Sequence, residues 1–239
     1  MAGLAIILLA AAGAPAPPPR TPYLERPALV AAASQLPPPP PPGSATDRAD
    51  RLHYETVTLA LPDRTVQRAR KLINMARPPY RQALSCALGA QIDPRLTPAL
   101  AAILARADID AAQAAGAVKF NGAPPRLRPN NDDGSPACDG RLATARPGSS
   151  YPSRHAASAY LWALILAELR PDRRADLIEF GTETGDLWVA CRINWRSDAE
   201  QGRVLGQAVF RQLLQSREFR ADLARARAAL ATAPPPFSC

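Results

Sequence analysis

Residues 150–169 read SYPSRHAASAYLWALILAEL. At Pro152 and Ser153 a loop gives way to apolar residues spaced by three and four. That pattern predicts a helix over Ser153–Leu169. The same spacing recurs on both sides. It predicts helices over Asp47–Leu61, Asp63–Met75 and Pro79–Leu88, and over Pro94–Arg106, opened by Asp93-Pro94 as N-cap and N1. A further helix starts at Asp108 or Asp110 and runs to Phe120. Arg174–Arg196 follows, with a break near Gly181 to Gly185, and then Asp198–Gln215, continuing toward Leu230. Strand signals are nearly absent, so the predicted fold is all-α, with no internal repeat. Between Asn121 and Ser150 the chain is rich in Pro, Gly, Asn and Asp and is expected to be a long loop, which in a folded domain is usually functional.

Outside this helical region, residues 1–14 are expected to be a signal peptide. GLAIILLAAA (Gly3–Ala12) forms its apolar block and Gly13-Ala14 its small-residue cleavage site. Residues 15–43 form a proline-rich segment, whose polyproline run, Pro37–Pro42, is expected to be extended and packed on, or leading into, the domain. The helical domain is expected over residues 44–232, with a tail at 233–239. The longest apolar stretch of a helix, Tyr160–Leu169, is about half of the ~18 to 20 residues a bilayer span requires, so no membrane span is expected. The reading is a periplasmic or secreted protein. Export allows Cys86, Cys138, Cys191 and Cys239 to pair in three ways, with a free Cys239, the last residue, as a further alternative.

Composition narrows the function. The 239 residues carry 29 Lys+Arg against 21 Asp+Glu, a formal net charge of +8, and only two of the cations, Lys71 and Lys119, are Lys. No basic run is interleaved with aromatics, so the charge is not read as a nucleic-acid surface. With two histidines, His53 and His155, and no C-x-x-C, neither a multi-histidine site nor a structural zinc site is expected.

Three stretches carry chemistry: Lys119…Arg126-Leu127-Arg128-Pro129, Pro152-Ser153-Arg154-His155, and Leu187-Trp188…Asn194…Asp198. In order and spacing they resemble K-x6-R-P, P-S-G-H and S-R-x5-H-x3-D, the signature of the bacterial class A non-specific acid phosphatases. Those are soluble relatives of the phosphatidic acid phosphatase type 2 and vanadium haloperoxidase superfamily. The resemblance covers roughly Leu36 to Leu230, including ALILAELRP (163–171) and NWRSDAEQGRVLG (194–206). It implies a compact helical fold, hydrolysis of small phosphate monoesters without a cofactor or metal, and a homo-oligomer.

By the same resemblance Lys119, Arg128 and Ser153 would bind phosphate, and Arg154, where the family has Gly, either forbids the close backbone approach or itself reaches the phosphate. His155 would protonate the leaving oxygen, and Asp198 would support position 194. The chemistry suits the residue types, because a phosphoryl group needs converging cations and N–H donors at a helix start.

The departures fall on the mechanism. Asn194 stands where the pattern has the nucleophilic His, and an amide cannot attack phosphorus or act as a base. Trp188 replaces the Arg of the third motif, and Arg154 replaces the Gly of the second. The first motif reads in two registers. Lys119 has the family spacing to Arg126, which lacks the following Pro. Arg128 keeps the Pro and is the preferred register, with a short insertion. Arg192, four residues after Trp188, is a candidate substitute cation. The reading is therefore an acid phosphatase relative with weak or lost activity. Its alternative is an inactive protein that binds phosphorylated or anionic ligands in the remnant site.

Overall fold

The computed structural model describes residues 21–120, 124–140 and 146–239. The expected signal peptide lies outside the described residues. Helix α7 (Arg154–Leu169) is the hub: it packs against α5 (Pro98–Phe120), α8 (Arg174–Ala190) and α9 (Arg196–Leu213). Leu161, Ala163, Ile165 and Leu166 are inaccessible to solvent, so the helix is apolar nearly all round, as a central helix must be. α9 lies very close to it. A Cβ built on Gly202 would stand 2.4 Å from the Ser153 carbonyl oxygen, and one on Gly206 2.6 Å from that of Ala157.

The remaining helices close the core around these four. They are α1 (Arg26–Ala33), α2 (Ala45–His53), α3 (Asp63–Leu72), α4 (Pro78–Leu88), the short α6 (Pro129–Asp132) and α10 (Arg217–Leu230). α2 continues into a π-helical turn, Tyr54–Thr58. Among the described residues there is no strand, only an isolated bridge between Arg126 and Ser149. The fold is all-α.

Several elements differ from the sequence expectation, each for a visible reason. The proline-rich N-terminal segment contains a helix that the sequence reading did not foresee. Residues 26–33 are helical, and Leu29 and Ala32 enter the main core. Ahead of them, the backbone N–H groups of Tyr23 and Leu24 donate to the Asp110 carboxylate at 3.1 and 3.0 Å. The Tyr23 hydroxyl reaches Asp222 at 2.6 Å, and the Arg106 guanidinium lies over the Tyr23 ring.

Asp110 is therefore an anchor in mid-helix rather than a helix start. Pro98–Phe120 runs unbroken, beginning four residues after Pro94 because Asp93 caps a separate turn through Arg95 and Leu96 N–H. α8 is also unbroken at Gly181 and Gly185. Gly181 lets it approach α7, since a Cβ there would stand 2.6 Å from that of Ala163. The last predicted helix divides at Ser216, whose hydroxyl caps Phe219 N–H and opens α10.

Of the three possible pairings the structure has Cys86–Cys239 and Cys138–Cys191. The first ties down the C-terminal tail, which also accepts Gln91 N–H at the Pro234 carbonyl. The second pins the turn after α8 to the loop following α6. No helix among the described residues is long and apolar enough to cross a membrane.

Candidate functional site

The C-terminal end of α5, the 126–129 turn, the start of α7 and the turn after α8 meet at one edge of the hub. Lys119, one residue before the end of α5, projects its ammonium between the carbonyls of Ser149 and Pro152, at 2.6 Å from each. Arg128 donates to the carbonyls of Ile193 and Ser149 at 3.0 and 3.1 Å, so it is fixed by backbone rather than by a carboxylate.

Between them opens a cleft of about 250 Å³. Lys119, Arg128, Arg146, Arg154, His155 and Asn194 line it beside the apolar wall of α5. Its charged lining among the described residues is entirely cationic. The nearest acid to Arg154 is Asp108, at 3.8 Å.

Electrostatics follow from that arrangement. Burial, with Arg128 adding to it, depresses the Lys119 pKa to about 7. Burial also lowers that of Arg128. His155 is held well below the usual imidazole range, first by burial and then by Arg154, Arg128 and Lys119. Its ring is therefore neutral at pH 7 in the empty cleft and can carry a proton there only when an anion offsets the three cations. His155 stacks on Trp188, with centroids 3.5 Å apart and planes 7° from parallel. The indole that stands in place of the third motif's Arg thus holds the imidazole instead of contributing charge.

The remaining predicted site residues are behind the cleft or part of its wall. Asn194 is buried and locked: its amide donates to the Ser150 carbonyl at 2.7 Å, and its carbonyl accepts the Ser153 hydroxyl at 3.0 Å. Ser153 also caps Ala156 N–H, so both functions of its hydroxyl are spent on the scaffold and it does not line the cleft. Asp198 is fully buried beneath, where burial raises its pKa. It accepts Arg126 at 2.7 Å, Trp195 N–H at 2.9 Å and the Ser150 hydroxyl. Arg126 bridges onward to Asp50, also at 2.7 Å.

The two registers of the first motif thus have different fates. Arg126 is the core of a buried ion network, and Arg128 faces the cleft. Arg192 does not substitute for the lost Arg. α8 ends at Ala190, so its helical spacing from Trp188 does not hold; Arg192 adopts φ +64° and donates to the Pro136 carbonyl instead.

Arg146 is a cleft residue that the motifs did not single out. Its one sequence signal is that Arg146-Pro147 repeats the Arg128-Pro129 dipeptide within the same loop. Its guanidinium lies over the Phe120 ring, 5.0 Å from the centroid. Among the described residues, no group of three or more His, Cys, Asp or Glu side chains is placed to hold a metal ion. The cationic cleft itself repels one.

No family profile matches the chain. Curated proteins do. The chain is 40% identical over 84 residues to a non-specific acid phosphatase of Salmonella typhimurium, covering 35% of this chain and 34% of that protein. It is 33% identical over 145 residues to an acid phosphatase of Zymomonas mobilis, covering 60% and 54%. A non-specific acid phosphatase of Providencia stuartii is 32% identical over 78 residues, 33% of this chain and 32% of that one. The matched segments thus span from about a third to about half the length of these relatives. The similarities support an acid phosphatase family.

Proposed function

We propose that the cleft binds the phosphate of small phosphate monoesters, and that the chain turns them over weakly or not at all. The observation that carries this reading is a set of four cations, Lys119, Arg128, Arg146 and Arg154, lining one cleft with no carboxylate among its described residues. Cations gathered without counter-charge repel one another and lose hydration, a cost that a bound dianion offsets. The Arg side chains add planar forks suited to two phosphate oxygens. His155 is uncharged in the empty cleft and gains its proton as the dianion arrives, which readies it to protonate a leaving oxygen.

The missing element is the attack on phosphorus. Asn194 is neutral, with both ends of its amide engaged by Ser150 and Ser153, so no phosphoryl-enzyme forms at that position. In a serine protease, loss of the nucleophile costs about 10⁶ in turnover. Asp198, which would support a His at 194, is committed to Arg126. The two disulfides fit a periplasmic or secreted location, and the resemblance to the phosphatases suggests a homo-oligomer.

The test pairs binding with turnover. Calorimetric titration with inorganic phosphate and vanadate should show saturable binding that weakens in Arg128→Ala and His155→Ala. Hydrolysis of p-nitrophenyl phosphate from about pH 4 to 8, the range in which a histidine acid changes charge, should be near background. Absence of phosphate binding refutes the reading of the cleft. Turnover of about 1 s⁻¹ or more, lost in His155→Ala, refutes the loss of activity and shows an enzyme that does not use position 194 as nucleophile.

A further inference from the structure

Gly116 has no packing reason to be glycine. It lies in the interior of α5, where glycine costs about 1 kcal/mol relative to alanine. At Gly181, Gly202 and Gly206 a Cβ would collide with α7, at 2.6 Å or less. At Gly116 its nearest contact would be the Phe120 ring, at 3.9 Å. A side chain would fit without strain, so the bare helix surface there is a gap that packing does not demand.

The gap is where two cavities meet. On one side is the cationic cleft. On the other is a groove of about 420 Å³ between α1 and α5, lined by Arg26, Leu29, Val30, Gln113, Ala117 and the same Gly116 and Phe120. Its wall is largely apolar, and two of its residues stay open to solvent although they are large: Val30 is 43% and Phe120 62% exposed. Phe120 is the ridge between the two spaces, with the Arg146 guanidinium over its ring.

Resting on the phosphate reading of the cleft, we infer that the groove is the subsite for the organic group of the ligand, which makes the ligand a phosphate monoester of an aromatic or similarly apolar alcohol. With its phosphate among Lys119, Arg128 and Arg154, the ester oxygen leads over Gly116, and the apolar group lies against Leu29, Val30, Ala117 and Phe120. The occupant follows from continuity. An anion site and an apolar groove that share two residues on one helix fit a molecule with a charged head and an apolar body, and the bare Gly116 surface leaves the path between them clear.

The experiment compares methylphosphonate with naphthylmethylphosphonate, whose C–P bonds resist hydrolysis, and with inorganic phosphate. Calorimetry on the full chain should give the naphthyl compound about tenfold higher affinity than the methyl compound, the gain expected from covering roughly 60 Å² of apolar surface. In Gly116→Leu, which fills the passage, and in Val30→Ser, which makes the far wall polar, the ratio of the two affinities should fall to near one. Gly116→Ala serves as the folding control, because its Cβ has room.

Equal affinities in the wild type overturn the inference, as does a ratio that survives both substitutions. So does a chain that dimerises through this groove, with Val30→Ser breaking the dimer and leaving the ratio intact. If inorganic phosphate itself does not bind, the reading of the cleft fails first. If phosphate binds and the naphthyl group adds nothing, only the groove assignment fails.

Discussion

Replacing Arg126 by Met removes the one cation that serves both Asp198 and Asp50. Arg126 is 8% exposed, Asp50 4% and Asp198 0%, so water cannot take over the role. Three bonds vanish, to Asp198 and Asp50 at 2.7 Å each and to the Ser197 hydroxyl at 2.8 Å. Each carboxylate keeps only neutral donors: Ser150 and Trp195 N–H for Asp198, and the N–H and hydroxyl of Ser197 for Asp50. Breaking a buried pair from one side costs about 3–5 kcal/mol. At about 2–4 °C per kcal/mol for a chain of this size, the melting temperature should drop by roughly 6–20 °C.

The pH dependence is a second signature of the same loss. Asp198 already has a raised pKa through burial, and losing Arg126 raises it further. An acid whose folded pKa lies above its unfolded value stabilises fully below the unfolded value, about 3.9, and loses that stabilisation as pH rises through the folded one. The deficit of Arg126→Met should therefore be largest at neutral pH and shrink toward pH 4. Adding Asp198→Asn should recover part of it. Urea unfolding followed by circular dichroism at several pH values measures both effects. A loss under about 1 kcal/mol at pH 7, below the usual cost of even one unmade buried hydrogen bond, or a deficit that does not narrow on acidification, refutes the account of this network.

The affinity for sulfate, which keeps its charge across the range, should fall as pH rises, because binding draws a proton onto His155, and should fall more steeply around and above pH 7, where Lys119 gives up its proton. Lys119→Met should bind more weakly and lose the added steepness near pH 7; a wild-type profile that does not steepen there would contradict the assignment. Gly202→Ala pushes a Cβ against the Ser153 carbonyl, and overpacking of this kind costs about 1–3 kcal/mol. Unfolding and phosphate titration together should show lower stability and weaker binding, since the start of α7 must move. Removing the Cys138–Cys191 disulfide with serines opens a loop with sequence separation 53. It should cost about 4 kcal/mol, and phosphate affinity should fall with it because Asn194 and the Ile193 carbonyl lie on the pinned turn.

Much of the site could be read from the chain because local chemistry and spacing specify it. The Pro-Ser-Arg-His run marks a helix start; Ser153 stands one residue ahead of α7 as its N-cap, and its hydroxyl is used within the scaffold. Asp198 was visible from the motif spacing as a support for position 194, whereas its ion-pair partner, Arg126, lies 72 residues away in sequence. Arg146 escaped because an Arg-Pro pair in a loop has no periodicity to place it. α1 escaped because a run of alanines beside prolines says little until Asp110, 86 residues on from Leu24, is found to hold the backbone ahead of it.

Local pattern therefore determined the helical class, the positions of most helices and three of the four cations that line the cleft, Lys119, Arg128 and Arg154. Tertiary packing alone decided which of Arg126 and Arg128 faces the cleft. The two are equally good phosphate ligands in isolation. Only the burial of Asp50 and Asp198 around one of them, and of backbone carbonyls around the other, gives them different work.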